Sequence, residues 1–144
     1  MSSSDIYAIA GSALSAQDMR MAAIAANLAN VDSVAMPGAK PYRAHELVFQ
    51  AAQPADQDFA GPADQPEPGV QVADIVESNA QPTRTYEPAS PYADQTGYVT
   101  GSNVSQVDEM VNMIDSSNAY SASVAMLQQA SRLDQQMISS FQVT

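Results

Sequence analysis

The sequence predicts an α+β protein: long N- and C-terminal helices that pair as a coiled coil, with a small β-rich middle domain between them. Three observations predict it. All nine prolines fall between Pro37 and Pro91, so both ends of the 144-residue chain are free of the residue that most disrupts helices. Apolar residues at both ends recur in steps of three and four, the spacing of one helix face. The Pro-rich middle instead holds short runs of β-branched and aromatic residues bounded by turn formers. The expected division is residues 1–33, 34–103 and 104–144.

The first helix is expected from Asp5 to about Asn30. Ser2 and Asp5 give it a capping signal, and nine alanines favour it, while Gly11 weakens it by about 1 kcal/mol relative to Ala. Its apolar stripe is Tyr7, Ala10, Leu14, Met21, Ile24, Leu28 and Val31, interrupted by Gln17. Asn27 and Asn30 sit where the helix should end, and Asn tolerates the left-handed conformation that closes helices, so both read as capping residues. In the middle, Glu46–Gln50, Gly69–Glu77, Thr83–Tyr86 and Tyr98-Val99 read as short strands. Asp94–Gly97 reads as a turn, and Ala51–Pro68 as an acidic Pro-rich loop. The last helix should run from Ser105 to Phe141, about 55 Å at 1.5 Å per residue. Ser105 and Asp108 form a capping-box pattern, and Asp108 and Glu109 place negative charge where the helix dipole favours it. Its stripe is Met110, Met113, Tyr120, Val124, Leu127, Ile138 and Phe141, with small or polar gaps at Ser117, Ser131 and Asp134.

Composition excludes several functions. A net charge of −11 argues against nucleic acid and acidic lipid as partners, since both call for a basic patch. With no Cys there is neither a disulfide nor a thiolate metal site. Met1–Asp5 lacks the basic residue of a secretory signal, and no run is apolar enough to insert in a membrane. His45 is the sole histidine and has no nucleophile beside it. Asp56-Gln57-Asp58 lacks the Gly and distant Glu of a calcium loop. Asn103-Val104-Ser105 matches a glycosylation sequon by chance. No catalytic residue, metal ligand or cofactor is therefore expected, and the chain does not read as an enzyme. Met19, Met21, Met110, Met113, Met126 and Met137 all fall in the helices, where adaptable thioethers suit either core gaps or an interface with non-identical neighbours.

Gly11–Gln17 and Ala26–Ser33 resemble the N-terminal signature of bacterial flagellar rod and hook proteins. Pro41-Tyr42-Arg43, Gly69–Val72, Gly97–Val99 and Asn103–Ile114 narrow the resemblance to basal-body rod proteins of the proximal-rod type. The resemblance implies a structural subunit of the drive shaft, located in the flagellar basal body and needed for motility. It implies export through the flagellar type III apparatus and polymerisation through the terminal helices. The implied partners are other rod proteins, copies of the same chain, the adaptor at the rod base and the export apparatus. Subunit packing would then fall to Leu14, Met21, Ile24, Leu28, Val31, Met110, Met113, Tyr120, Val124, Leu127, Ile138 and Phe141, and Asn27 and Asn30 would form the family motif at the helix end. The rival reading is a soluble helical adaptor or export chaperone of the flagellar system. Both stripes are rich in Ala and Ser. At about 25 cal/mol per Å2 of apolar surface such a pair is weakly stable alone, so the ends are expected to fold on assembly.

Overall fold

The structure, a computed structural model, describes residues 3–52 and 69–141. Two helices enclose four strands in chain order: α1 (Ser3–Ala29), β1 (His45–Ala51), β2 (Val70–Glu77), β3 (Arg84–Tyr86), β4 (Tyr98–Thr100) and α2 (Gln106–Phe141). This is the α+β class expected. The strands do not share one sheet: β1 pairs with β2, and β3 with β4. Ser2 and the stretch from 53 to 68, including Asp56–Asp58, lie outside the described residues. At their near side β1 continues one residue past Gln50, to Ala51.

The chain clusters into two compact units, each built from parts of both helices. One combines Met1–Met19, Phe49–Ala73 and Ser116–Thr144. Here α1 and α2 run antiparallel: the Tyr7 hydroxyl donates to Asp134 Oδ2 (3.1 Å), and Ser116 Oγ to Gln17 Oε1 (2.9 Å). The buried residues in this unit are small: Ala10, Ala16, Ser116, Ser123 and Ala130. On α2 they recur every seven residues, the period of a coiled-coil seam. The expected gap at Ser117 is displaced by one position, to Ser116, and Ser117 is exposed. The physical reason is size, because small side chains on both helices let the backbones approach where Met or Ile would hold them apart.

The other unit combines Arg20–Val48 with Asp74–Asp115. Its buried residues are Ile24, Asn27, Ala44, Val99, Ser102, Val104 and Glu109. Polar groups therefore make up much of its interior, and each needs a partner. The Ser102 hydroxyl donates to Val31 O (2.7 Å) and its N–H to Ser33 O (3.1 Å), while its carbonyl accepts from the Thr83 hydroxyl (2.6 Å). Asn103, far from being an exposed sequon, is a crosslink. Its Oδ1 accepts from the Ala44 N–H (2.7 Å), and its Nδ2 donates to the Ser78 and Ala80 carbonyls, each at 3.1 Å. The helix begins as the sequence anticipates, with the Asp108 N–H donating to Ser105 Oγ (3.4 Å).

The β3–β4 hairpin in this unit is antiparallel, pairing Arg84 with Thr100 and Tyr86 with Tyr98. Asp94 closes its turn. Asp94 Oδ1 accepts from the Thr96 hydroxyl (2.6 Å), the Thr96 N–H (2.8 Å) and the Tyr98 N–H (3.0 Å), and Oδ2 is bridged to Arg84 at 2.8 Å. Arg84 also lies 5.0 Å from the centre of the Tyr98 ring, which meets Tyr86 edge-on. Gly97 turns the chain with φ of 81°, and a Cβ there would meet Tyr86 Cε2 at 2.9 Å.

Gly97→Ala should destabilise this hairpin by about 1–3 kcal/mol, through left-handed strain and the Tyr86 clash, as read by hydrogen exchange at Thr85 and Val99. Unchanged exchange would mean that the turn rearranges freely. The hairpin should also sense acid. The Asp94 carboxyl is lowered from 3.8 to about 2, first by the Thr96 hydroxyl and then by the Tyr98 N–H. A folded value below the unfolded one means that its contribution is complete above about pH 4 and is lost as pH falls through about 2. The Thr96 and Tyr98 amide resonances should therefore titrate with a midpoint near 2 in the wild type and not at all in Asp94→Asn.

Candidate functional site

The most constrained point in the described residues is the side chain of Asn27, 1% exposed near the C-terminal end of α1. Its Nδ2 donates to His45 O (3.0 Å) and Glu109 Oε1 (3.2 Å). Its Oδ1 accepts from the His45 N–H (2.8 Å) and the Tyr42 hydroxyl (3.1 Å). The amide thus uses both its donors and both its lone pairs. It ties α1 to the start of β1 and to the first turn of α2.

This corrects the expectation that Asn27 caps its helix. A cap satisfies its own helix's backbone, whereas the Asn27 side chain spends all four bonds on other segments. Asn30 does act at the helix end, its Nδ2 donating to Ala26 O (2.8 Å). Glu109 is corrected too. Rather than standing in solvent against the helix dipole, it turns inward and is 9% exposed. Burial raises its carboxyl above the usual 4.5, and the Glu46 and Asp108 charges add to this against the opposing bond from Asn27 and the Arg20 charge. Its second oxygen, Oε2, is buried with no hydrogen-bond partner among the described residues. Tyr42 sits beside it, its hydroxyl raised first by burial and then by the Glu109 charge. Its ring meets that of His45 edge-on at 5.4 Å.

The residues expected to pack subunits divide by exposure. Ile24 is buried. Leu14, Met21, Leu28, Val31, Met113, Tyr120, Val124 and Leu127 are half-buried, while Met110 and Ile138 are 52% and 59% exposed. The side chain of Phe141 lies outside the described residues. Around Met110 the sequence pattern overlooked Val107, Val111 and Ile114, which share its helix face at the start of α2 and, like it, are more than half exposed. Four of the six helical methionines, Met19, Met110, Met126 and Met137, are likewise exposed.

No group of three or more His, Cys, Asp or Glu residues is disposed to hold a metal among the described residues, and no helix there is long and apolar enough to cross a membrane. What the geometry offers is a polar hub that fixes the chain's segments, beside helix faces rich in uncovered apolar groups. That is the surface of a protein built to pack.

Comparison with known proteins agrees. The family described as "Flagella basal body rod protein" matches residues 8–39, and "Flagellar basal body rod FlgEFG protein C-terminal" matches residues 95–140. The chain is 46% identical to the flagellar basal-body rod protein FlgC of Escherichia coli O6:H1, over 85% of this chain and 86% of that one. It is 44% identical to the FlgC protein of Yersinia enterocolitica, over 88% and 89%. It is 36% identical to that of Borreliella burgdorferi, over 79% and 81%. These similarities define a structural rather than an enzymatic class of protein, one of the flagellar basal body. Within that class the chain belongs to the flagellar basal-body rod proteins, of the FlgC type.

Asn27→Asp tests the hub. It would set a second carboxylate oxygen against Glu109 Oε1 and the His45 carbonyl where Nδ2 now donates. Thermal unfolding of the full chain should show a loss of about 2 kcal/mol or more at pH 7 and a smaller loss at pH 4, where carboxyls begin to protonate. Wild-type stability at pH 7 would show that Asn27 is dispensable.

Proposed function

We propose that this chain is a structural subunit of the proximal rod, exported through the flagellar type III apparatus and polymerised through its terminal helices, and that motility depends on it. The observation that carries the reading is the exposure of large apolar side chains along α2: Val107, Met110, Val111, Ile114, Met126, Leu133, Met137 and Ile138. Water contact with so many of these groups is unfavourable by about 25 cal/mol per Å2, and burying them against neighbours would drive assembly. The similarity to FlgC proteins over most of the chain supports the same reading.

In this account residues 1–33 and 104–144 form the assembling helices, pairing as a coiled coil, and 34–103 forms a small outer domain. Leu14, Met21, Ile24, Leu28, Val31, Met113, Tyr120, Val124 and Leu127 line the seam, and Met110, Ile138 and Phe141 reach neighbouring subunits. Those neighbours are copies of the chain, other rod proteins and the adaptor at the rod base. Exposed methionines suit such varied contacts, because the thioether chain adapts to surfaces of different shape.

Ile138→Asp separates assembly from folding, since this side chain is more than half exposed before any neighbour arrives. The variant should be exported and keep the helical circular dichroism of the wild type, yet be depleted from purified basal bodies and leave cells non-motile. Normal occupancy and motility would exclude α2 as an assembly surface at that position.

A further inference from the structure

The Asn27 joint contains one acid whose two oxygens differ. Glu109 is 9% exposed; its Oε1 accepts from Asn27 Nδ2 (3.2 Å), and its Oε2 is buried with no hydrogen-bond partner among the described residues. An ionised oxygen so placed is unfavourable, because it has left water and gained no donor. Burial is the largest influence on this carboxyl and raises it above the usual 4.5. The surrounding charges are divided. Glu46 on β1 and Asp108 on α2 disfavour the charged form, while the Asn27 bond and Arg20 on α1 favour it. Arg20 is shared with Asp115, 3.2 Å away. The first turn of α2 also favours negative charge. On the strap, His45 Nδ1 lies 3.3 Å from the Tyr42 hydroxyl, and an imidazole is the other kind of group that changes charge near neutrality.

We infer that Glu109 makes this joint a proton-operated latch: protonation of its carboxyl closes the junction of α1, β1 and α2, and ionisation loosens it. The proton resides on Oε2. It removes the buried charge and leaves Oε1 to keep its bond from Asn27. Ionisation returns a negative charge to the interior beside Glu46 and Asp108, and the carboxylate is drawn toward water, away from Asn27. A folded value above the unfolded one means that the latch's contribution is complete below about pH 4.5 and is lost as pH rises through the raised value. The latch holds the first turns of α2, where Val107, Met110, Val111 and Ile114 face outward, so its state sets how firmly that run is presented. It belongs to the isolated chain, and holds or fails independently of assembly.

Native-state hydrogen exchange of the full chain, from about pH 4 to about pH 8, tests the latch. Two amides report on it: the His45 N–H, bonded to Asn27 Oδ1, and the Glu109 N–H, bonded to Ser105 O. Glu109→Gln keeps an oxygen for Asn27 and cannot ionise, and dividing wild-type protection by E109Q protection cancels the titration of every other carboxyl. That ratio should fall about tenfold as pH rises, the effect of leaving a buried oxygen unpaired. A ratio constant with pH would overturn the latch, whatever the absolute stability of E109Q. The same ratio in a His45→Gln background should fall alike; a ratio that becomes constant there would assign the response to the imidazole and overturn the role of Glu109. Should E109Q fail to fold, carbon NMR of the Glu109 carboxyl in the wild type decides: a titration midpoint above 4.5 supports the latch, and one at or below 4.5 overturns it.

Discussion

The carboxamide of Asn27 is the constraint on which one of the two units depends. Its four hydrogen bonds join three segments distant in sequence: the end of α1, the Tyr42–His45 strap and the start of α2. Hydrogen bonds are directional, so this arrangement fixes the rotation of both helices about their axes as well as their separation. A seam of leucines would tolerate sliding by a turn. A buried amide does not, because any slip strands donors and acceptors away from water. Ser102 and Asn103 extend the same logic to the segment entering α2, where each joins backbone groups on two or more separate stretches.

The apolar groups are distributed the other way. Besides Asn27 and Glu109, the described interior contains Ala, Ser, Val99, Val104 and Ile24, while most of the larger Met, Ile and Val side chains of α2 face outward. Small interior residues let helical backbones come close but contribute little transfer free energy. The chain thus specifies its own geometry with polar contacts and holds most of its large apolar surface in reserve. In the proposed rod, neighbours would cover that surface, so that stability and assembly draw on one source.

Much of the fold was legible in the sequence because it is set by local rules. The confinement of Pro to the middle of the chain, the 3/4 stripes and Ser105 anticipated both helices to within a few residues, and the Asp94–Gly97 turn and its flanking strands needed only turn chemistry. The candidate site was less legible. Asn27 reads as a cap and Glu109 as a dipole charge because each is an excellent local solution to a helix end. The non-local partners that outbid those solutions lie 18 and 82 residues away from Asn27 and leave no periodic trace.

The sequence by itself determined the class of the fold, its element order and the absence of thiol chemistry, since propensity, spacing and composition are properties of neighbours along the chain. The resemblance carried by its motifs also determined the family. Only the tertiary structure decided which side of each stripe is buried, placing the buried small residues of α2 at Ser116, Ser123 and Ala130 and leaving Met110 and Ile138 in water. Only it split the strands into two ribbons and turned two polar side chains inward. The reason is the same in each case: a helix periodicity fixes a stripe only to within one residue of rotation, and the choice within that range is made by the size and hydrogen-bonding needs of groups on another segment.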